Sequence, residues 1–276
     1  MPRTELIDVE NLANRIPDGA LLALPADRNG VALAATRALI RRRAQGLRIL
    51  TVPTSGMQSD LLIGAGCVAE VETSGVSLSE YGPAPRFGAA VSEGTIVIRD
   101  ATCPAVHAGL QASEKGVPFL PLRGILGTDV LKFRPDWRVI DNPFEAGSDP
   151  IVLVAAVQPD IALFHVARAD RHGNVFVGRE RDLVTMAHAS RRTLITAEQI
   201  VDVDLMHDPA YAAGTLSSFY VEAVAEAPRG AWPLGLHGCY AEDAEHLTRY
   251  ASAAATPEGF RRYLDEFVFA TRAAAQ

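Results

Sequence analysis

Residues 151–177 read IVLVAAVQPDIALFHVARADRHGNVFV, and this stretch decides the fold. Ile151–Val157 and Ile161–Val166 are two unbroken apolar runs separated by Gln158-Pro159-Asp160. A strand with one wet face alternates polar and apolar residues, whereas a strand with two dry faces does not. Both runs therefore predict strands of one sheet, covered on each side by helices. The second run ends in Ala169-Asp170-Arg171-His172-Gly173-Asn174-Val175. There Gly173 and Asn174 are expected to supply the positive φ of a tight turn, and Val175–Val177 to return as an extended, antiparallel segment.

Outward from this centre, strand-like and helix-like segments alternate. On the N-terminal side the pattern predicts a helix over Val9–Ile16, a first strand Ala20–Leu24, a turn Pro25–Gly30, a helix Val31–Gln45 capped by Gly46, and a strand Leu47–Val52. The loop Pro53–Gly56 leads into Met57–Ile63. Val68–Glu72 is extended, Tyr81–Pro85 irregular, Phe87–Ser92 helical, Thr95–Arg99 a strand and Ala105–Lys115 a helix. Pro118–Arg138 is punctuated by Pro and Gly and reads as a long surface loop, a candidate substrate wall, with a strand at Trp137–Ile140. On the C-terminal side come a helix Arg181–Ala189, strands Arg192–Thr196 and Phe219–Ala225, and helices Ala241–Tyr250 and Pro257–Ala270. The last is announced by Thr256 at its N-cap and Pro257 at its first position. The expectation is an α/β fold with an open, mostly parallel sheet between helix layers, in one domain spanning 1–276.

Composition narrows the function. The chain has 276 residues, 48% of them hydrophobic, and a net charge of −7, which disfavours a nucleic-acid partner, since that needs a basic face to displace counterions. The N-terminal MPRTELIDVENLANRI has no apolar signal core, and no apolar run approaches the roughly 20 residues that span a bilayer. A cytoplasmic protein away from membranes is expected. Cys67, Cys103 and Cys239 form no Cys-x-x-Cys pair, and the seven histidines no His-x-x-x-His pair, so no metal site is signalled.

Several constellations carry possible chemistry, each beside a plainer reading. Asp27-Arg28-Asn29-Gly30 and Thr54-Ser55-Gly56 lie between a strand and the next helix, where ligands collect in open α/β sheets. Backbone N–H groups there could hold a carboxylate or phosphate with Arg28 adding charge, or the segments are merely bonded turns. Gly64-Ala65-Gly66-Cys67-Val68-Ala69 has the spacing of a dinucleotide fingerprint, yet reads better as a helix end turning into a strand. Arg41–Arg43 could meet phosphates, or simply favour a helix C-terminus. Asp170, Arg171, His172 and Asn174 could form a polar site or stabilise their own turn. His165, inside an apolar run, reads as a satisfied core histidine.

Taken in order, Gly109-Leu110-Gln111, the segment Gly116-Val-Pro-Phe-Leu-Pro-Leu-Arg123, Pro143, the Ala169–Val175 turn, the strand Arg191–Glu198 and the helix start Thr256–Phe260 resemble the family I coenzyme A transferases, and more closely their α-type half, the group of the glutaconate CoA-transferase α-type subunit. The resemblance implies a CoA-transferase type of fold and a subunit of an acyl-CoA:carboxylate CoA-transferase. It implies catalysis through a glutamyl thioester formed on a β-type partner, with coenzyme A as substrate and no other cofactor. The nucleophile's surroundings in that family are Glu-Asn-Gly or Glu-Ser-Gly. The nearest strings here, Ser92-Glu93-Gly94 and Pro257-Glu258-Gly259, match neither, so no catalytic residue is expected on this chain. Asp27, Arg28, Asn29, Gly30, Ser55, Gly56, Arg123 and His172 are expected to touch substrate. The turn after the first strand departs from the family in having no glycine before Gly30. Relatives of this architecture include CoA-dependent hydrolases that cleave rings or thioesters, and binding modules without catalysis. A dinucleotide enzyme would instead depend on Gly64 and Gly66.

Overall fold

The computed structural model describes residues 4–270. The chain opens with strand β1 (Glu5–Ile7) and helix α1 (Val9–Asn14), then alternates β2 (Leu21–Pro25), α2 (Leu33–Arg42), β3 (Leu47–Val52), α3 (Met57–Gly64), β4 (Val68–Thr73), α4 (Pro85–Glu93), β5 (Val97–Asp100) and α5 (Cys103–Glu114). Next come β6 (Phe119–Leu122), the single turn α6 (Val130–Phe133), β7 (Arg138–Asp141), β8 (Pro150–Ala155), β9 (Ile161–Asp170), β10 (Val175–Phe176) and α7 (Arg181–Ala189). The chain closes with β11 (Arg192–Val201), β12 (Thr215–Leu216), β13 (Ala223–Glu226), α8 (Ala244–Ala254) and α9 (Pro257–Leu264), which runs on into a π-helical turn, Asp265–Phe269.

The main sheet has the order β1-β13-β11-β9-β2-β3-β4-β5 with every neighbouring pair parallel, while β10 runs antiparallel to β9 and to β12. The expected sheet between helix layers is present, for the reason the apolar runs suggested. Leu22, Leu24, Ile49, Ile161 and Leu163 face one cluster built with α1, α2, α3, α4, α8 and α9. Ala23, Leu50, Val52, Ala162, Phe164 and Val166 face a second cluster built with α5 and α7. Successive side chains leave opposite faces of a strand, so a strand between two cores is apolar throughout.

The apolar pattern misled in one place. Ile151–Val157 does not join the main sheet; β8 is the middle strand of a separate antiparallel sheet, β6-β8-β7. Val152 and Val154 enter the second core while Leu153 and Ala155 stay half-exposed, so an apolar run reports apolar faces without saying which sheet receives them. Pro118–Arg138 is likewise no continuous loop, since it contains β6 and α6. Pro121 is tolerated because β6 is an edge strand, where a missing donor costs least. Other corrections are local. A short strand, β1, precedes Ala20–Leu24, and Ser218–Tyr220 is a 3₁₀ turn before β13 rather than part of a strand. Arg43, with φ 61°, closes α2 where Gly46 was expected to. Gly64–Gly66 is the end of α3 leading into β4, with no helix after the glycines, which removes the dinucleotide reading.

The strand order fixes where a ligand can enter. From β2 the chain steps outward through β3, β4 and β5; from β9 it steps the other way through β11 and β13. Adjacent β2 and β9 pair only at Leu22↔Ile161 and Ala23↔Ala162, then diverge. A crevice opens beyond their carboxyl ends, at the point where the winding reverses.

Candidate active site at the reversal of strand order

The loop after β2 lines this crevice. Arg28 (φ 73°) and Gly30 (φ 78°) both adopt left-handed conformations, and Asn29 N–H donates to the Ala26 carbonyl at 3.0 Å. His165 N–H in β9 donates to the Gly30 carbonyl at 2.6 Å, so the loop replaces the ladder bond that diverging strands give up. A Cβ on Gly30 would overlap the His165 carbonyl oxygen, so only glycine fits.

Asp27 points at the N-terminus of α3. Its Oδ2 accepts from Met57 N–H at 3.2 Å, and a Cβ on Gly56 would overlap that same oxygen. Its Oδ1 is buried without a partner. Burial pushes the carboxyl up to about 6, against the pull of the Met57 and Gly56 N–H groups. The helix end expected to receive an external anion is thus already occupied by the chain's own carboxylate. Ser55 is buried beside it, its Oγ accepting from the Ser59 hydroxyl at 2.8 Å.

Arg28 reaches into solvent between two acids. It donates to Glu242 through Nε (3.1 Å) and a terminal nitrogen (3.2 Å), and it pairs with Glu80. Tyr81 donates to Glu242 at 2.6 Å, and the hydrogen bond to that carboxylate pushes its hydroxyl up to about 12. Ser79 beside them carries φ 57°. Two strained non-glycine residues in one small patch are costly unless the surroundings hold them, and such strain collects at functional sites.

Next to Arg28 a cavity of about 80 Å³ is lined by apolar Phe176, Leu183 and Leu236 together with His165 and His237. Thr196 pairs with His165 across the β9–β11 ladder, and Glu198, two residues on, shares that face. The His165 ring, fully buried, is bound at both nitrogens, by Thr196 Oγ1 at 2.8 Å and Glu198 Oε1 at 2.7 Å. Glu198 also accepts from the Tyr240 hydroxyl (2.6 Å) and from the backbone N–H groups of Arg229 (2.7 Å) and Gly230 (3.2 Å). Burial raises this carboxyl, but the bonds from His165, Tyr240 and Arg229 outweigh it and hold Glu198 below its ordinary value.

Asp27–Gly30, Ser55 and Gly56 therefore come together. Arg123 and His172 stand apart: Arg123 pairs with Asp149 at the small sheet, and His172 is exposed on the β9–β10 turn. In that turn the structural reading holds. Asp170 accepts from His172 N–H, Asn174 N–H, the Asn174 side chain and Leu205 N–H. Only Gly173 has positive φ (86°); Asn174 contributes its amide instead. Arg41 and Arg42 are taken up by Glu10, Asp18 and backbone carbonyls, the helix-end reading. Tyr81, Glu198, Tyr240 and Glu242 escaped sequence reasoning, because each reaches the crevice from a loop or strand end distant in the chain. Among the described residues no group of His, Cys, Asp and Glu could hold a metal ion, and no helix is long and apolar enough to cross a membrane.

A ten-stranded, mostly parallel sheet with a charged-rimmed crevice at its reversal point defines an α/β chain of the open-sheet type. More specifically, the chain belongs to the Coenzyme A transferase family, whose family model matches residues 7–227, and within it the chain is of the α type. It is similar to glutaconate coenzyme A-transferase from Acidaminococcus fermentans, whose crystal structure superposes with a TM-score of 0.88 at 26% identity, covering 96% of this chain and 89% of that one. The α-type subunit of 3-oxoadipate CoA-transferase from Pseudomonas knackmussii is 29% identical over 97% of this chain and 95% of its own length. The cholesterol ring-cleaving hydrolase IpdA subunit of Rhodococcus jostii is 30% identical over 86% of this chain and 82% of its own length. An uncharacterized protein of Archaeoglobus fulgidus is 32% identical over 82% of this chain, which spans only 51% of it.

Proposed function

We propose that the chain acts as one domain, the α-type subunit of an acyl-CoA:carboxylate CoA-transferase. It shapes the acyl pocket at the β2–β9 crevice while a β-type partner supplies the nucleophilic glutamate. The observation that carries this reading is that the carboxylates around the crevice are already engaged. Asp27 is buried against α3, Glu80 and Glu242 hold Arg28, and Glu198 accepts from four donors. Glu180, which lines the cavity, stands beside the adjacent Arg179 at 3.4 Å, so each of these carboxylates has a partner in place. The cavity of about 80 Å³ is also well short of the ~300–1,000 Å³ that encloses a small molecule, which fits a pocket completed by a second chain. Asp27, Arg28, Asn29, Gly30, Ser55 and Gly56 form this chain's share of the binding wall; Arg123 and His172 would join only across the interface.

Transfer in this reading forms a thioester between the partner's glutamyl carboxylate and coenzyme A, releasing the first acid. A second carboxylate then takes the coenzyme A and regenerates the glutamate. Arg28 offers a planar cation for a substrate carboxylate. The test is co-expression with a β-type subunit, incubation with acyl-CoA, and trapping with borohydride. The expected result is a reduced glutamate on the partner and none here, with exchange of coenzyme A between two acids. Hydrolysis is the second reading, favoured by the equally similar ring-cleaving hydrolase subunit. Release of free coenzyme A, whatever acceptor acid is present, selects thioester hydrolysis, and addition of one water to a CoA-linked ring with the thioester intact selects ring cleavage.

A further inference from the structure

We propose that Glu198 is a positioning residue that sets the aim of Arg28; the inference rests on the reading of the β2–β9 crevice as the acyl-CoA site. Glu198 touches no open part of the cavity as a free acid. It gathers three segments instead. Through Oε1 it takes the His165 ring and the Tyr240 hydroxyl, and through both oxygens the Arg229–Gly230 backbone. Tyr240 Oη in turn accepts from Ala231 N–H at 3.1 Å, closing the turn onto itself. The Leu236–Tyr240 turn, fastened by paired backbone bonds of 3.0 and 3.1 Å, carries the cavity residues Leu236 and His237 and leads directly into Glu242. Glu242 is the acid that holds Arg28 at two nitrogens. A path thus runs from Glu198 by hydrogen bond to Tyr240, along the backbone through Ala241 to Glu242, and by ion pair to Arg28.

His165 sits midway along β9, directly after Ile161–Phe164, which are apolar and fully buried. Gly230 marks how closely the parts fit: a Cβ there would meet the His165 Cε1 at 2.5 Å and the Ala227 carbonyl oxygen at 2.7 Å. With both ring nitrogens engaged, His165 presents no lone pair or free proton to a ligand, so the network acts by placement rather than by proton transfer.

The test uses the chain purified with its β-type partner, comparing Glu198→Gln and the milder Tyr240→Phe, which removes one hydroxyl. Glu242→Gln serves as the benchmark for a released Arg28. The first readout needs no turnover: in crystal structures of both variants the Arg28 guanidinium is expected to leave Glu242. The second is steady-state kinetics with an acyl-CoA series. KM should rise about tenfold in Tyr240→Phe with kcat within about twofold, and combining it with Glu242→Gln should add little, because both act on one group. Arg28 found in place in both variants overturns the proposal whatever the kinetics. Arg28 displaced with KM unchanged overturns its bearing on substrate. If the wild-type complex neither transfers nor hydrolyses any acyl-CoA, the functional reading fails, and the position of Arg28 still decides the role of Glu198.

Discussion

Two polar clusters close strands of the same sheet, and they spend their polar groups differently. In the turn after β9, Asp170 is buried and gives both oxygens to N–H donors within its own vicinity, and Asn174 bonds Asp170 and Ser218 N–H. In the loop after β2, Asp27 keeps one oxygen without a partner, Arg28 is exposed with a left-handed backbone, and its partners come from residues 80 and 242. The first cluster, fastened across the fold to Leu205 and Ser218, leaves neither Asp170 oxygen without a donor and builds a turn. The second leaves a buried oxygen unpaired beside an exposed charge on a left-handed backbone, which is the condition under which a ligand can change the balance.

The sharpest separation should come from Asp170→Ala. It strands four buried or half-buried donors and is expected to cost about 4 kcal/mol in urea unfolding, while ligand affinity per folded molecule stays unchanged. Asp27 should behave oppositely, and the sign follows from its raised pKa. The folded chain holds this proton more tightly than the unfolded one, so its contribution is complete below 3.8 and lost as pH climbs through about 6. The rise corresponds to about 3 kcal/mol. Asp27→Asn should therefore gain on wild type by about that amount between about pH 4 and about pH 7 in parallel denaturation curves; a gap that does not change with pH would mean Asp27 is ionised throughout. For Arg28→Ala the effect should fall on function. As Arg28 is half-exposed, stability should move by less than about 1 kcal/mol, while kcat/KM of the assembled complex drops about 100-fold, or about 2.7 kcal/mol. The smallest change belongs to His172→Ala, expected within about 0.5 kcal/mol in stability and about twofold in kcat/KM. A larger kinetic loss would bring the β9–β10 turn into the active site from across an interface.

Much of the fold was legible because two-sided burial leaves a plain mark: Ala20–Leu24 and Ile161–Phe164 are apolar for the physical reason that puts them between two cores. The placement of Ile151–Val157 was not, since strand partners are chosen by long-range packing that an apolar run does not encode. For the site, the loop after β2 stood out as a strand-to-helix connection bearing Asp27 and Arg28. That Asp27 would cap α3 itself was hidden, because the contact joins residues 27 and 57 through a fold the sequence only outlines. Glu198 was hidden too. It lies at the end of a strand segment whose resemblance was noted, but its worth depends on Tyr240 and Arg229, reached only after the chain returns over β13.

Asp27 also acts as a tethered competitor. A carboxylate covalently bound to the chain meets the α3 N-terminus at an effective molarity that no free metabolite matches at cellular concentration. Free phosphate or acetate is shut out of that end of the helix. Any anionic group of a ligand must be read by Arg28 or by the partner's surface instead, and a single change at residue 27 to a small neutral side chain would open the excluded position, giving the crevice a different selectivity without altering the fold.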